Sequence, residues 1–323
     1  MNRGAAADGR ELGARLRARD LSAAPAVLNL VESNAPQARA QAAQLLASVS
    51  PAALGGEAPA HVVGITGPPG VGKSSLLSRL VAHWRSLQRS VAVLAVDPSS
   101  RRSGGALLGD RARIEVDPRD RAVFIRSTAA GDRLGGLAPA TRAAASALAA
   151  AFDVVVIETV GVGQSETDVA DVADTVAVVV QPGSGDVLQF LKAGIMEVPD
   201  VLAVTKADLG SIATRAVGDL RAALRSLGAR ATAIVAVSSL APPSGIGELA
   251  QALDAHRESL SLVARRLHAR RMHALDDFVC EHGQRGLRAL VGRREAERWL
   301  ARQDQQLDVP ALATALERRA GVG

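Results

Sequence analysis

The stretch from His61 to Trp84 reads HVVGIT (61–66), GPPGVGKS (67–74) and SLLSRLVAHW (75–84). The first piece is an apolar run ended by a glycine cluster, the pattern of a buried strand, and the third reads as a helix. Between them stands a complete G-x-x-x-x-G-K-S. Its glycines let backbone N–H groups wrap a chain of phosphates, and the amino terminus of the following helix adds partial positive charge. Lys73 is placed to reach the outer phosphates and the Ser74 hydroxyl to ligate Mg2+. A purely structural glycine turn would require neither residue. Gly67, Pro68, Pro69, Gly70, Val71, Gly72, Lys73, Ser74 and Ser75 are therefore the expected phosphate-binding residues of a nucleotide site.

Outward from this segment, short apolar runs recur: VAVLAVD (91–97), AVFIR (122–126), DVVVIE (153–158), TVAVVVQ (175–181), VLAVTK (201–206) and TAIVAVS (232–238). Runs of Val, Ile and Ala without polar alternation indicate strands covered on both faces, so the spacing predicts an α/β fold with a mostly parallel sheet. Residues 1–58 read as a helical arm, with amphipathic segments between Asp20 and Ser50 and a loop, PAALGGEAPA (51–60), as the boundary. Residues 59–255 read as the nucleotide domain, and 256–323 as arginine-rich helices ending in one from Pro310 to Arg319.

Four further places carry candidate chemistry. Asp97 closes a strand at the edge where nucleotides bind, so it either holds the metal or its water, or caps the following turn. Asp110 follows as a second acidic candidate. Glu158 and Gly161 in ETVGVGQSE (158–166) suit a γ-phosphate sensor, with the carboxylate toward Mg2+ and the glycine N–H toward phosphate. Thr205-Lys206-Ala207-Asp208 is close to the guanine-reading N-K-x-D, with Thr205 in place of Asn. Asp208 would accept from the guanine N1–H and 2-amino group, a pair of donors adenine lacks. The Lys206 stem would lie over the ring and brace the phosphate loop. Ser238, Ser239 and Leu240 are positioned to close over the base. Asp186, Gln189 and Lys192 recur every three residues after a glycine turn, as a catalytic or partner-sensing loop or as an exposed polar helix face.

Composition narrows the alternatives. The 323 residues include 38 Lys+Arg, 33 Asp+Glu, no tyrosine, and three lysines in all: Lys73, Lys192 and Lys206. The other cations are arginines, whose planar fork is bulkier than the slim ammonium stem of lysine, so each lysine is a pointer to a place where the fork does not serve. The net charge of +5 permits a nucleic-acid partner, yet acidic residues are interspersed and aromatic stacking residues nearly absent, which argues against one. A single cysteine, Cys280, excludes an internal disulfide framework and a multi-cysteine metal site. The amino terminus lacks an apolar signal core, and no run approaches the roughly 18 apolar residues that span a bilayer. A cytoplasmic protein with no membrane partner is expected.

The combination of GPPGVGKS, VDPSSRRSGGALLGD (96–110), RLGGL (133–137), ETVGVGQSE, QPGSGDVLQFLKAGIME (181–197) and KAD resembles the MeaB/ArgK-type G proteins. These are chaperones of methylmalonyl-CoA mutase and related adenosylcobalamin-dependent acyl-CoA mutases. The amino-terminal LNLVES (28–33) is similar to that family's helical arm. The resemblance implies a homodimeric GTPase of the signal-recognition/metallochaperone class, its carboxyl-terminal helices contributing to the dimer. The same resemblance implies that it binds GTP and GDP with Mg2+ and couples hydrolysis to cofactor loading and protection of the mutase. By the same resemblance Ser74, Asp97, Asp110 and Glu158 sit at the Mg2+ positions, and Asp186, Gln189 and Lys192 match a switch loop that responds to the mutase. Lys73, Asp110, Glu158, Asp186, Gln189 and Lys192 make up the expected catalytic set. The chain departs from the family at Thr205 and at Ser239, where an alanine is usual. Asp254-Ala-His256 is the nearest approach to a cobalamin-ligating D-x-H-x-x-G, and without the glycine it reads as a surface helix. The alternative is a metal-insertion GTPase for a nickel enzyme, against which stands the lack of a His-rich tract or cysteine pair.

Overall fold

A computed structural model describes residues 8–97, 114–129, 137–159, 165–183, 199–226, 228 and 231–322. Asp110, Gly161, Asp186, Gln189 and Lys192 lie outside the described residues, as does the side chain of Asp97. The chain divides into two compact units, one of residues 61–141 and 152–260, the other of 1–60, 142–151 and 261–323.

The first unit is built on a seven-stranded sheet. The strands are β1 (His61–Thr66), β2 (Val91–Asp97), β3 (Val123–Ala129), β4 (Val154–Thr159), β5 (Thr175–Val180), β6 (Val201–Val204) and β7 (Ala233–Ala236). They lie in the order β3-β2-β4-β1-β5-β6-β7 and every strand pair is parallel. All seven fall on the apolar runs. Every residue of β1, β4, β5 and β6 is buried, whereas β7 and most of β3, each with a single neighbour, are half-buried or exposed. Covering on both faces thus holds for the centre of the sheet and lapses at its rims. Leu76, Leu77, Leu80 and Trp84 of the helix Lys73–Ser86 pack with Val63, Ile65, Val156 and Val179 of the sheet and with Leu249 and Leu253 of the helix Ile246–Ser259. Each such burial contributes roughly 1.5–3 kcal/mol.

Strand amino termini leave N–H groups that need partners. Here an aspartate just before a strand supplies them repeatedly. Asp174, before β5, accepts the Val62 N–H at 2.9 Å, and Asp200, before β6, accepts the Val176 N–H at 2.8 Å. Asp153, before β4, accepts both the N–H and the hydroxyl of Ser90 at 2.7 Å. His61, 1% exposed, lies at the same edge, with Nδ1 3.2 Å from Asp254 and Nε2 2.9 Å from Thr175 Oγ1. Asp254 also takes Arg89 Nη1 at 2.8 Å. His256 corrects one expectation: it belongs to the helix Ile246–Ser259 but is half-buried, its Nδ1 3.0 Å from Thr175 Oγ1 and its Nε2 3.1 Å from Asp200.

In the second unit, the amino- and carboxyl-terminal helical segments cluster together. The helix Gly9–Arg17 lies against Pro36–Ser48, which in turn touches the last helix, Val309–Ala320. Leu275 and Phe278 of the long helix Leu262–Ala289 form a core with Leu300, Leu312 and Leu316. Arg270 grips the Glu57 carboxylate with two bonds of 2.9 Å, and Arg266 donates to the carbonyls of Ala58 and Ala60. Residues 51–60 are not loop throughout: Pro51–Leu54 form a helical turn, capped by Ser50 Oγ and ended at Gly55 in the left-handed region. Among the described residues no helix is long and apolar enough to cross a membrane.

Candidate nucleotide site

In the sheet order, β1 sits between β4, reached after two strands on one side, and β5, which begins the other side. The carboxyl end of β1 is therefore the switch point where open parallel sheets bind ligands. The glycine loop emerges there. Gly67, at φ 143°, approaches the sheet so closely that a Cβ would stand 2.1 Å from the Val179 carbonyl oxygen. Gly72, at φ 98°, turns the chain into the helix Lys73–Ser86, and a Cβ on it would meet nothing within 4 Å. The first glycine is thus held by packing and by φ, the second by φ alone.

Lys73 is 8% exposed, and its Nζ donates to the carbonyls of Gly67 at 2.6 Å and Pro68 at 3.0 Å. Its charge is therefore held inside the curve of the loop. The next residue, Ser74, donates its hydroxyl to Glu158 Oε1 at 2.9 Å. Glu158, 4% exposed, is carried on β4 opposite Ile65 of β1, the strand that runs into the loop and the helix bearing Ser74. Ser78 Oγ donates to the Ser74 carbonyl at 3.0 Å and accepts from the Glu115 N–H at 2.9 Å. The backbone of β2 ends at Asp97 on this same edge, beside β4.

The sequence around Lys206 and Ser238 forms a second cluster at the edge. Lys206 has a left-handed backbone, φ 56°, and its Nζ donates to Gln181 Oε1. The tie to the phosphate loop comes from its neighbour: Thr205 Oγ1, buried, donates to the Val71 carbonyl at 2.7 Å and lies 3.1 Å from that of Val180. Asp208 Oδ1 accepts the Ser238 hydroxyl at 2.6 Å, and Ser238 Oγ accepts the Leu240 N–H at 3.3 Å. The Ala207 N–H donates to the Val237 carbonyl at 3.0 Å. Arg79, from the helix after the phosphate loop, donates Nε to the Ser239 carbonyl at 3.0 Å. Leu240 is 65% exposed. Pro69 and Gly70 of the loop are exposed, as is Ser75 in the first turn of the helix that follows. Sequence reasoning brings Lys73, Ser74, Glu158, Lys206, Asp208 and Ser238 to this edge but misses Gln181, Ser78 and Arg79. Ser78, one turn beyond Ser74 on the same helix face, has a legible spacing; Gln181 and Arg79 act across long sequence separations and have none.

A parallel sheet with a phosphate loop at its switch point defines a P-loop nucleotide-binding fold. The chain matches a crystal structure described as an LAO/AO transport system kinase with a TM-score of 0.61 and 26% identity, over 93% of this chain and 98% of that one. The chain belongs to the MeaB family: the family model for the methylmalonyl-CoA mutase-associated GTPase MeaB matches residues 24–288. A protein of Pyrococcus abyssi described as a GTPase is 42% identical over 268 residues, 81% of this chain and 80% of its own length. A GTPase of Mycobacterium bovis is 41% identical over 259 residues, 77% of this chain and 75% of that protein. The mitochondrial methylmalonic aciduria type A homolog of Caenorhabditis elegans is 40% identical over 212 residues, 62% of this chain and 50% of that protein. The protein is a GTPase that binds guanine nucleotides.

Proposed function

We propose that this GTPase is a chaperone of an adenosylcobalamin-dependent acyl-CoA mutase of the methylmalonyl-CoA mutase type, working as a homodimer and coupling the GTP cycle to cofactor loading and protection of the mutase. The observation that carries this reading is the extent of the family match. Residues 24–288 take in helical segments before and after the nucleotide unit in the sequence, so the likeness to mutase-associated GTPases is not confined to motifs that any P-loop protein needs.

Within the proposal, the loop 67–75 holds the phosphates. Lys73 exchanges its carbonyl partners for phosphate oxygens, and the N–H groups at the start of the helix Lys73–Ser86 face the same charge. The Ser74 hydroxyl and Glu158 carboxylate are adjacent oxygen donors, the set a hard dication takes, so they fit Mg2+, with Asp97 and Asp110 as further candidates. Bound there, Mg2+ would neutralise charge developing on the phosphates. Asp208 accepts the two guanine donors, with Lys206 and residues 238–240 beside the base. Asp186, Gln189 and Lys192 serve the partner response. Incubation with the cognate mutase is expected to raise the GTPase rate. Absence of both stimulation and physical association, with GTP, GDP or no nucleotide, would sink the proposal.

A further inference from the structure

The segments assigned to the base do not stand by themselves. Residues 205–208 and 237–240 are joined by the Ala207-to-Val237 backbone bond and by the Ser238 hydroxyl on Asp208. This clamp is fastened to the phosphate-binding element at two points. Thr205 Oγ1 holds the carbonyl of Val71 inside the glycine loop, at 2.7 Å. Arg79 Nε, on the helix that begins with Lys73, holds the carbonyl of Ser239 at 3.0 Å. Ser239 is bonded in sequence to Ser238, whose hydroxyl fixes Asp208 Oδ1 at 2.6 Å. A shift of the Ser239 carbonyl is therefore passed through one residue to the carboxylate that reads the base.

We infer that Arg79 is a specificity-determining positioning residue: by pinning the Ser239 carbonyl to the phosphate helix it keeps Asp208 aligned to accept two guanine donors, with Thr205 as the second anchor. This rests on the reading that Asp208 faces the guanine edge. The physical reason selectivity should feel the loss is angular. Hydrogen bonds favour donor angles above about 150° and weaken steeply below about 120°, so a carboxylate serving two donors at once tolerates less misplacement than one serving a single donor. Inosine triphosphate lacks the 2-amino group and offers only the N1–H. It therefore loses less than GTP when Asp208 is released. The aliphatic stem of arginine also packs, so a change in stability alone would not distinguish positioning from structural support. A change in the GTP-to-ITP preference would.

The test measures kcat and KM for GTP and ITP on the full chain, in the wild type and in Arg79→Met, Arg79→Lys, Thr205→Val, Thr205→Ser and Asp208→Asn. Arg79→Met is expected to raise KM for GTP about fivefold to tenfold and KM for ITP about twofold or less, with kcat held within about twofold. Arg79→Lys, which keeps a donor, restores part of the preference, and Thr205→Ser restores what Thr205→Val loses. Folded Arg79→Met with the wild-type GTP-to-ITP ratio overturns the inference. Should that variant fail to fold, the two Thr205 variants decide by the same ratio. Asp208→Asn checks the underlying reading separately, through a shift of preference from GTP toward xanthosine triphosphate. A wild type that ignores the 2-amino group, with no such shift in Asp208→Asn, overturns the guanine reading and this inference together. Wild-type discrimination with an unchanged ratio in the Arg79 variant overturns this inference alone.

Discussion

The two ends of the parallel sheet are furnished from one set of residue types and put to opposite use. At the amino-terminal edge, Asp153, Asp174 and Asp200 each bond a backbone N–H beside a neighbouring strand, while His61, Thr175, His256, Asp254 and Arg89 join in a continuous chain of polar contacts. At the carboxyl-terminal edge, Lys73 is held by two loop carbonyls, Ser74 by Glu158, and Asp208 by Ser238. The first arrangement meets needs the fold itself creates, since strand N–H groups buried without partners cost roughly 1–3 kcal/mol each. In the proposed function the second set of bonds gives way to a phosphate, a metal ion and a base. Beside the second network, and not the first, stands a glycine backbone with open space next to Gly72.

Breaking the carboxyl-terminal edge should have the largest effect. Lys73→Ala is expected to lower GTP turnover by about a hundredfold or more with little change in melting temperature. Near-normal turnover would remove Lys73 from the phosphate site. At the amino-terminal edge the effects should reverse. Asp254→Ala takes a partner from both Arg89 and His61, yet its carboxylate is 38% exposed, so the cost is discounted to about 1–2 kcal/mol. Thermal melting should register a drop of a few degrees while kcat for GTP stays near wild type; a large loss of kcat would mean that the two ends are not independent.

The smallest effect is a pH slope. Burial holds the His61 pKa below its ordinary value of 6.5, against the opposing pull of the Asp254 hydrogen bond. Between the depressed folded value and 6.5 the unfolded chain binds the extra proton, so stability rises with pH there. His61 therefore contributes fully above about pH 6.5 and loses that contribution as the pH falls. In His61→Gln the decline of melting temperature below about pH 6.5 should be shallower than in the wild type. Equal slopes would assign the acid sensitivity to other groups.

These contrasts also explain what is legible in the sequence. The seven strands are readable because apolar runs report burial directly, and the glycine loop because its chemistry is contiguous. The half-exposed rims are not: AIVA of β7 is as apolar as the central strands, and the exposure of β7 and β3 follows from each having one neighbour, which no residue type declares. The aspartates that precede β4, β5 and β6 stand in view at positions 153, 174 and 200 without declaring which N–H they take. His256 reads as a surface residue because its partners, Thr175 and Asp200, come from other elements. Thr205 illustrates the same limit at the site. In sequence it stands only as a departure from the asparagine of the motif, and the packed fold alone brings its hydroxyl to the Val71 carbonyl.

The scarcity of lysine has a practical consequence for chemical probing. Reagents that acylate primary amines usually decorate a protein surface indiscriminately. Here the side-chain targets are Lys73, Lys192 and Lys206, since arginine supplies the remaining cations. Lys206 stands exposed, whereas the Lys73 ammonium is sunk in its loop. If Lys206 lies beside the base as proposed, its acylation should fall when GTP is added, a footprint of nucleotide occupancy read by mass spectrometry from unmutated protein.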